Sequence, residues 1–589
     1  MKKLLILLSL LLLPTWMCAD TINYNLNGVL YNLYTDSRSA ELTGLYNKTS
    51  KKVVNIPQVI DYKGIEYTVT SIGNNAFYEC SALTDVTIPE TVTSIGERAF
   101  YRCEALVSVS LPSSLTTIPD EAFRYCNHLP TLQLPNSLIS IGTYAFNGCY
   151  RLSSIEIPNT VNTIGLGAFQ HTGIVSITLP SSLKTIEKSL FNFCHSLESV
   201  TIPSGITKIG DHAFYSCIYL KSIEIPDAVT EIGSYAFYDC MTIKHLIIPK
   251  NVKSIGKRFI GACKSMEKIV VENGNEIYDS RNDCNAIIEK ETNKLIAGCK
   301  NTIIPNTVTT IGELAFSGCT ELISLTIPNS VKAIEDNAFY GCEKLTEIVL
   351  PDYLEKIGKR AFDGCNDLKS LTLPQTITEI GDEAFYRCLG LTNIDIPNTV
   401  TTIGSEAFYQ CFNLKSLTIP NSVERIKHDA FNDCSKLESL VIPNSVKEIG
   451  GYAFAHCTNL TTIYIPSSVT VINEGLFWKC ESLKDIYYYS EVVPNTSVDA
   501  FEYYNNKDAT LHVPAQSIGY YQSSSLWGEF GNIVALTEEE IAMDVINLPF
   551  DEVREVGRFS LDGKRVSPSY QGLVVIKYNN GTTRKIIVR

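Results

Sequence analysis

The sequence has little of what a nucleic-acid-binding or membrane-spanning protein needs. Its 49 lysines and arginines are outnumbered by 63 aspartates and glutamates, so the formal net charge is −14. A nucleic-acid-binding protein needs a basic footprint, and this composition excludes one. After the first nineteen residues no apolar run approaches the about 20 residues that span a bilayer, so we expect no transmembrane segment.

The signatures of catalysis and metal binding are also absent. The eight histidines are scattered outside any H-E-x-x-H pattern, and we expect each on the surface. The nineteen cysteines include no C-x-x-C pair, the usual local signal of a zinc or dithiol redox site. No G-x-S-x-G elbow, phosphate-binding loop or dinucleotide fingerprint is present. We therefore expect no enzyme activity, no catalytic residues, no cofactor and no metal.

The chain begins with an export signal. Two lysines precede an apolar run at residues 4–13, a proline ends that run, and Ala19 is a small residue suited to cleavage. The pattern predicts a signal peptide at residues 1–19, and therefore a protein that is exported to the cell surface or secreted. Cys18 keeps lipoprotein processing as an alternative, although Met17 stands where that signal has a small residue.

A repeat of 23 residues dominates the rest of the chain. Its template is L-x-x-[IVL]-x-[IL]-P-x-x-[VLI]-x-x-I-G-x-x-A-F-x-x-C-x-x, and residues 83–105 form one copy. Ile260 once replaces the phenylalanine of the template, and Phe501 closes the series slightly out of register. The other copies carry Phe77, Phe100, Phe123, Phe146, Phe169, Phe191, Phe214, Phe237, Phe316, Phe339, Phe362, Phe385, Phe408, Phe431, Phe454 and Phe477.

The template has a physical explanation. Leu83, Val86 and Ile88 alternate as in a short strand with one inward face. Pro89 lacks an amide hydrogen and ends the strand, and Gly96 gives the backbone the conformational freedom needed at the next turn of the coil. The A-F-x-x-C segment is predicted to form one turn of helix. A single coil cannot bury its own apolar side, so we predict an α/β repeat solenoid of about eighteen stacked coils with short β-strands.

The recurring I-G-x-x-A-F-x-x-C motif resembles the BspA-like branch of the leucine-rich repeat family, also called the Treponema-type repeat. The resemblance covers residues 71–515. It implies a leucine-rich repeat array and an extracellular protein on a bacterial or parasite surface, often linked to adhesion to host proteins.

Both ends of the array depart from the template, as capping of a repeat array requires. Residues 20–70 predict a small β cap, and residues 516–544 predict a C-terminal cap and linker. Residues 545–589 predict three short strands, the first with a turn at Asp562. This tail resembles the C-terminal sorting module of type IX secretion in Bacteroidetes, although Val574 stands where tyrosine is usual. A small β module that only stabilises the end of the array is the alternative.

Sixteen of the cysteines share one position of the template, and we expect this ladder to consist of buried, reduced thiols. An insertion at about residues 271–299 predicts a hairpin instead of a regular coil. If Glu289 pairs with Lys294 across its turn, Cys284 lies opposite Cys299. A disulfide between these two cysteines is then one expectation for an exported protein, and burial of two free thiols is the other.

The exposed strand positions carry mostly serine and threonine, consistent with strand propensity and solubility. Toward the C-terminal end, Tyr464 and Tyr487 occupy the same position in adjacent coils, and Tyr489 follows. The other tyrosines of this region are Tyr488, Tyr503 and Tyr504. Because tyrosine is enriched at recognition surfaces, Tyr464, Tyr487 and Tyr489 are the candidate ligand-binding residues. Capping of the last coils by the same tyrosines is the alternative.

These features favour an exported cell-surface interaction protein, an adhesin that binds an extracellular host or matrix protein through the solenoid surface. A glycan is the second kind of partner that we consider. The alternatives are a carbohydrate-binding surface module and a structural coat protein, and an enzyme has the least support because no catalytic pattern is present.

Overall fold

A computed structural model describes residues 21–501, 506–544, 555–560, 565–566, 572–578 and 583–588. The predicted signal peptide at residues 1–19, the tyrosines Tyr503 and Tyr504, and the predicted turn at Asp562 lie outside the described residues. The chain divides into two compact units. The N-terminal unit extends to Cys263 and includes Gly274–Glu276, and the C-terminal unit comprises Lys264–Asn273 and the chain from Ile277 onward.

The N-terminal unit opens with six strands and continues with fifteen short ones. The opening strands are β1 Thr21–Leu26, β2 Val29–Tyr34, β3 Ser39–Leu45, β4 Val53–Asn55, β5 Val59–Tyr62 and β6 Ile65–Ile72. Strands β7 to β21 are, in order, Asp85–Thr87, Ser94–Ile95, Ser108–Ser110, Thr117–Ile118, Ser140–Ile141, Thr163–Ile164, Ser176–Thr178, Thr185–Ile186, Ser199–Thr201, Lys208–Ile209, Glu231–Ile232, Phe237–Tyr238, His245–Ile248, Ser254–Ile255 and Ile260–Gly261.

The C-terminal unit continues the repeats and ends in two short helices and a separate sheet. Strands β22 to β43 are, in order, Lys268–Val271, Tyr278–Asp279, Ala286–Glu289, Lys294–Gly298, Thr310–Ile311, Ser324–Thr326, Ala333–Ile334, Glu347–Val349, Lys356–Ile357, Ser370–Thr372, Glu379–Ile380, Asn393–Asp395, Thr402–Ile403, Arg425–Ile426, Ser439–Val441, Glu448–Ile449, Thr462–Ile465, Val471–Ile472, Asp485–Tyr488, Asn495–Thr496, Thr510–Val513 and Asn532–Ala535. The helices are α1 Ile518–Gln522 and α2 Glu538–Asp544, and 3-10 turns lie at Arg281–Asp283, Asn506–Asp508, Ala515–Ser517 and Trp527–Glu529.

Equivalent strands of neighbouring repeats pair in parallel, one template period apart. Ser176 of β13 pairs with Ser199 of β15, and Ser439 of β36 pairs with Thr462 of β38. The opening strands mix both directions: β1, β2 and β3 are antiparallel, whereas β6 runs parallel to β3 and to the repeat strand β8. The prediction of a repeat solenoid with short strands is therefore confirmed.

The A-F-x-x-C segment is a turn, so the prediction of one turn of helix is wrong. The amides of Arg98, Phe100 and Arg102 donate to carbonyl oxygens of the next coil at 3.0, 2.8 and 2.8 Å, while the intervening amides bond within the turn. Arg98 and Arg102 adopt left-handed φ values of 55° and 56°, which aim alternate amides out of the coil. An α-helix would direct every amide to its own fourth preceding carbonyl, and neighbouring coils would lose these bonds.

The core consists of ladders of identical side chains. Phe100 and Phe123 stack with ring centroids 5.0 Å apart, and both are fully buried. The Cys103 thiol donates to the carbonyl oxygen of Phe77 at 3.0 Å. Burial raises the pKa of the equivalent Cys149 thiol to about 12. The repeat cysteines are buried, as the sequence predicts, except for the partly exposed Cys319.

The tail contains four strands, β44 Glu555–Ser560, β45 Arg565–Val566, β46 Gly572–Tyr578 and β47 Thr583–Val588. They form one antiparallel sheet in the order β45-β44-β46-β47. Val574 lies on β46 and pairs with Ile586 of β47. This sheet is compatible with a sorting module and equally with a small stabilising module.

Candidate interaction surface

One sheet of the C-terminal unit carries a row of aromatic side chains. The sheet consists of β36, β38, β40, β42 and β43, all parallel. Register places Tyr464 beside Tyr487 and Tyr487 beside His512. The rings of Tyr464 and Tyr487 stack with centroids 4.4 Å apart, and those of Tyr487 and His512 with centroids 4.1 Å apart. We name these three residues the aromatic row.

The aromatic row lies on the outward face of the sheet. Val441 precedes it in the same register and Val534 follows it, and these valines are 40% and 38% exposed. The alternate positions Leu440 and Ile463 point inward and are buried. The rings of the row are half-buried, and each covers a face of its neighbour. Their edges and hydroxyl groups remain directed away from the core.

Residues 536–544 of the same chain run against this row, and we name them the terminal strap. Leu536 is buried, and its amide donates to the carbonyl oxygen of Val513 at 2.9 Å. Thr537 and Glu540 then form a capping box at the start of α2, since the Thr537 amide donates to Glu540 Oε2 at 2.7 Å and the Glu540 amide donates to Thr537 Oγ1 at 3.2 Å. The box holds Glu540 in one orientation.

Glu540 is the residue of the strap that meets the aromatic row. Its carbonyl oxygen accepts a hydrogen bond of 3.1 Å from the Tyr489 hydroxyl. Its carboxylate lies 3.9 Å from His512 Nδ1, while Asp485 lies 3.2 Å from the Nε2 atom of the same ring. Burial, followed by the neighbouring Tyr464, Glu540 and Asp485, raises the pKa of the Tyr487 hydroxyl to about 12.

The three tyrosines predicted as ligand-binding residues therefore have different surroundings. Tyr464 and Tyr487 lie together in the aromatic row, half-buried. Tyr489 is only 9% exposed, because it lies beneath the terminal strap. Burial, followed by the charges of Glu540 and Asp485, raises the pKa of Tyr464.

The neighbouring Tyr488 serves the other predicted purpose and caps the last coils. It is fully buried, its ring stacks on Trp527 with centroids 5.5 Å apart, and its hydroxyl donates to the carbonyl oxygen of Val469. Tyr521 and Phe530 complete the same inward cluster around Trp527. The tyrosines of this region thus divide by strand alternation into outward-facing and inward-facing groups.

A second aromatic surface, which the sequence analysis missed, lies on the A-F-x-x-C turns of the N-terminal unit. Tyr78 and Tyr101 stack with centroids 5.0 Å apart. The guanidinium carbon of Arg124 lies 5.0 Å from the ring centroids of both Tyr125 and Tyr144, a distance at which cation–π attraction operates. These residues occupy the variable positions on either side of the template phenylalanine. Comparing those positions across consecutive repeats would have revealed the cluster.

The histidines are less scattered than the sequence suggests. His171 stacks on Phe193 with centroids 4.8 Å apart, and His212 stacks on Tyr235 with centroids 4.9 Å apart. Burial lowers the pKa of both histidines. His512 retains only 14% of its side-chain exposure within the aromatic row. None of the eight histidines is buried, in agreement with the surface position predicted for them, but stacking partly covers these three rings.

The insertion hairpin forms as predicted, with Glu289 paired to Lys294. A β-bulge between Ile287 and Ile288 shifts the register of the two strands by one residue. The strand pairing therefore does not place Cys284 directly opposite Cys299, as the sequence argument had assumed. Both cysteines are buried free thiols in the structure. The disulfide stays a prediction, which peptide mapping of unreduced protein from its native cell envelope tests directly.

Within the described ranges, no group of three or more histidine, cysteine, aspartate or glutamate side chains is arranged to hold a metal ion. A separate search of the same part of the chain finds no helix that is both long and apolar enough to cross a membrane.

The family described as BspA type leucine rich repeat region matches residues 70–198, 184–285, 286–414 and 401–525 of the chain. Among solved structures, a leucine-rich repeat protein from Bacteroides ovatus is 27% identical, with coverage of 76% of this chain and 95% of that one and a TM-score of 0.46. A leucine rich cell surface protein from Faecalibacterium prausnitzii is 28% identical, with coverage of 68% and 94% and a TM-score of 0.43. No curated protein matches the chain.

Proposed function

The chain belongs to the BspA type leucine-rich repeat family, and on that premise we propose that it is an exported surface protein that binds an extracellular host or matrix protein. Repeat arrays of this kind present extended surfaces without an enclosed pocket, which suits macromolecular partners. The aromatic row Tyr464, Tyr487 and His512 is the contact region of this proposal. Export rests on the residues 1–19 and on the tail at residues 545–589, both interpreted from sequence.

The observation that carries the proposal is the stacking of the aromatic row on the outward face of a rigid sheet. Ring centroids 4.4 and 4.1 Å apart leave each side chain little freedom. Ordering of side chains at an interface is a main cost of association. Because the side chains of the row are already ordered, a partner that binds the row incurs little of this cost. Tyrosines held rigidly on a surface are the residues that most often carry binding energy.

The same geometry supports a protein partner over a sugar. A sugar ring binds an aromatic residue by lying on its exposed face, but both faces of Tyr487 are covered by the stack, and Tyr464 and His512 each have one face covered by Tyr487 and a valine beside the other. What the row presents outward is ring edges and hydroxyl groups. Flanking valines, Val441 and Val534, extend it as an apolar strip. Edges, hydroxyls and aliphatic groups together suit the mixed surface of a protein.

The test is a binding screen with a matched pair of variants. Purified chain is immobilised and presented with extracellular matrix proteins and, in parallel, with a glycan array. For any partner found, replacement of Tyr464 and Tyr487 by alanine should weaken binding by about 1–2 kcal/mol. The control is Tyr353→Ala, at a tyrosine 58% exposed elsewhere in the C-terminal unit.

Three outcomes would contradict the proposal. Equal loss in Tyr353→Ala and in the double variant would mean that the aromatic row is not the contact region. Binding to glycans alone, retained without Tyr464 and Tyr487, would favour the carbohydrate-binding alternative at another site. Absence of any partner for the wild-type chain would favour a structural coat protein.

A further inference from the structure

The aromatic row is already in contact with an acidic segment of its own chain. Glu540 lies in the first turn of α2, with its carboxylate toward His512 and its carbonyl oxygen bonded to Tyr489. Glu540 is also near enough to Tyr487 for its charge to help raise the pKa of that hydroxyl. The row therefore accommodates a carboxylate presented at the start of a short helix, beside the imidazole of His512, while the adjacent Tyr489 hydroxyl donates to the backbone carbonyl of the same residue.

The part of the terminal strap whose side chains the structure describes, residues 536–541, is held by few contacts. Of its residues 536–541, only Leu536 is buried, Glu540 is half-buried, and Thr537, Glu538, Glu539 and Ile541 are exposed. The Ile541 side chain is 50% exposed, so it adds little apolar burial. A helix of seven residues is marginal without tertiary support. Segments with little buried apolar surface open locally at low free energy, so the strap can leave the row while the sheet stays folded.

We propose that the aromatic row recognises a carboxylate on a short acidic helix of the partner protein, and that the terminal strap occupies the row as an internal mimic which this helix displaces. The proposal rests on the proposed function, since it names the chemistry of the partner and the regulation of the same site. Glu540 is the residue of the strap that imitates the partner. Tyr464, Tyr487 and His512 form the surface for which the two compete.

The attachment of the strap to the sheet makes the competition selective. A tethered segment reaches its site at an effective concentration on the order of millimolar, so weak acidic ligands in solution are excluded. The apparent affinity of any partner falls by the fraction of molecules in which the row is open. Only a partner with contacts beyond the single carboxylate, for example to Val441 or Val534, would displace the strap.

The test requires no knowledge of the natural partner. A fluorescent peptide that copies residues 536–544 is titrated into the full-length chain, and anisotropy reports binding. Glu540→Gln in the chain retains the capping box, which accepts glutamine as well as glutamate, but removes the charge that faces the row. Glu538→Gln removes an equal charge from an exposed residue of the same helix and serves as the matched control.

We expect the peptide to bind the Glu540→Gln chain about tenfold more tightly than the wild-type or Glu538→Gln chain, because the open fraction rises. Adding Tyr464→Ala and Tyr487→Ala to the Glu540→Gln chain should abolish this binding, as should glutamine at position 540 of the peptide. In parallel, Tyr464 and Tyr487 should be iodinated faster in the Glu540→Gln chain than in the Glu538→Gln chain, by peptide mass spectrometry.

Each opposite result overturns the inference. Equal peptide binding and equal iodination in the Glu540→Gln and Glu538→Gln chains would mean that the strap is only a structural cap. Peptide binding that survives loss of both tyrosines would place the strap elsewhere. The peptide experiment is independent of the screen for matrix partners, so failure of the screen with success of the peptide would remove the proposed function and leave the strap competition standing.

Discussion

The phenylalanine ladder of the core and the aromatic row of the last sheet are built by the same rule and have opposite consequences. In both, one aromatic residue recurs at one position of successive coils, and the coil spacing brings the rings into stacks, at 5.2 Å for Phe339 and Phe362 and at 4.4 Å for Tyr464 and Tyr487. The phenylalanines are fully buried, whereas the tyrosines are half-buried. Stacking is thus a property of the repeat, and the side of the coil decides whether the stacked rings are buried in the core or lie on the surface, where we propose that they bind a partner.

The largest expected effect is a loss of folding stability at alkaline pH, caused by the cysteine ladder of the buried core. Cys149 and its ladder neighbours have folded pKa values raised by burial, to about 12 for Cys149, from 9.0. The stability that they contribute is complete below pH 9 and is lost as the pH rises toward 12, because unfolded thiols release protons that folded thiols keep. In that window each such thiol should lower the free energy of unfolding by about 1.4 kcal/mol per pH unit.

Urea denaturation at pH 8 to 10, followed by circular dichroism, measures this slope. The Cys149→Ala chain, with one ladder thiol fewer, should show a shallower decline than the wild type. A free energy of unfolding that stays constant across that range would mean that the ladder thiols are not protected from ionisation.

The next effect concerns one ring of the ladder. Phe362 stacks between Phe339 and Phe385, with centroids 5.2 and 5.5 Å away. Phe362→Ala should lower the free energy of unfolding by about 3–5 kcal/mol, because it leaves a cavity in a close-packed core. Hydrogen exchange should rise in the coils on either side and little beyond them, since repeats contact mainly their neighbours. A uniform rise along the C-terminal unit would contradict this local response.

Alanine substitution of stacked rings on the outward side should destabilise the fold much less than Phe362→Ala. Replacing both Tyr464 and Tyr487 by alanine removes one stack that solvent already reaches, so the free energy of unfolding should fall by only about 0.5–1.5 kcal/mol. Thermal and urea denaturation of the double variant, measured beside Phe362→Ala, give the contrast. Equal destabilisation by the two variants would erase the distinction between a structural ladder and a recognition row.

The smallest effect on the solenoid is expected from removal of the tail. Deleting residues 545–589 leaves the aromatic row and the terminal strap in the chain. The free energy of unfolding of the solenoid should therefore change by less than about 0.5 kcal/mol, and its melting temperature should change little. If the tail is a sorting module, the shortened protein should accumulate in the periplasm, which cell fractionation detects. Normal delivery of the shortened protein to the cell exterior would favour the small stabilising module.

Some of the site follows from sequence patterns and some does not. Tyr464 and Tyr487 were predicted to be neighbours because they share a template position, and the register of β38 and β40 places them side by side. His512 belongs to the same row, but it stands 25 residues after Tyr487, outside the template period. Glu540 has no repeat position at all, so only the folded chain brings it to the row.

The sequence by itself determined the repeat, the buried ladders and the hairpin at Ala286–Glu289, because each depends on local alternation and on a fixed period that every coil copies. Tertiary structure alone decided that the A-F-x-x-C segment is a turn, because its alternate amides bond to the next coil rather than to their own. It also decided the β-bulge beside Ile287 and the position of the terminal strap over the aromatic row. Such contacts join residues with no common period, and their geometry depends on how finished coils meet.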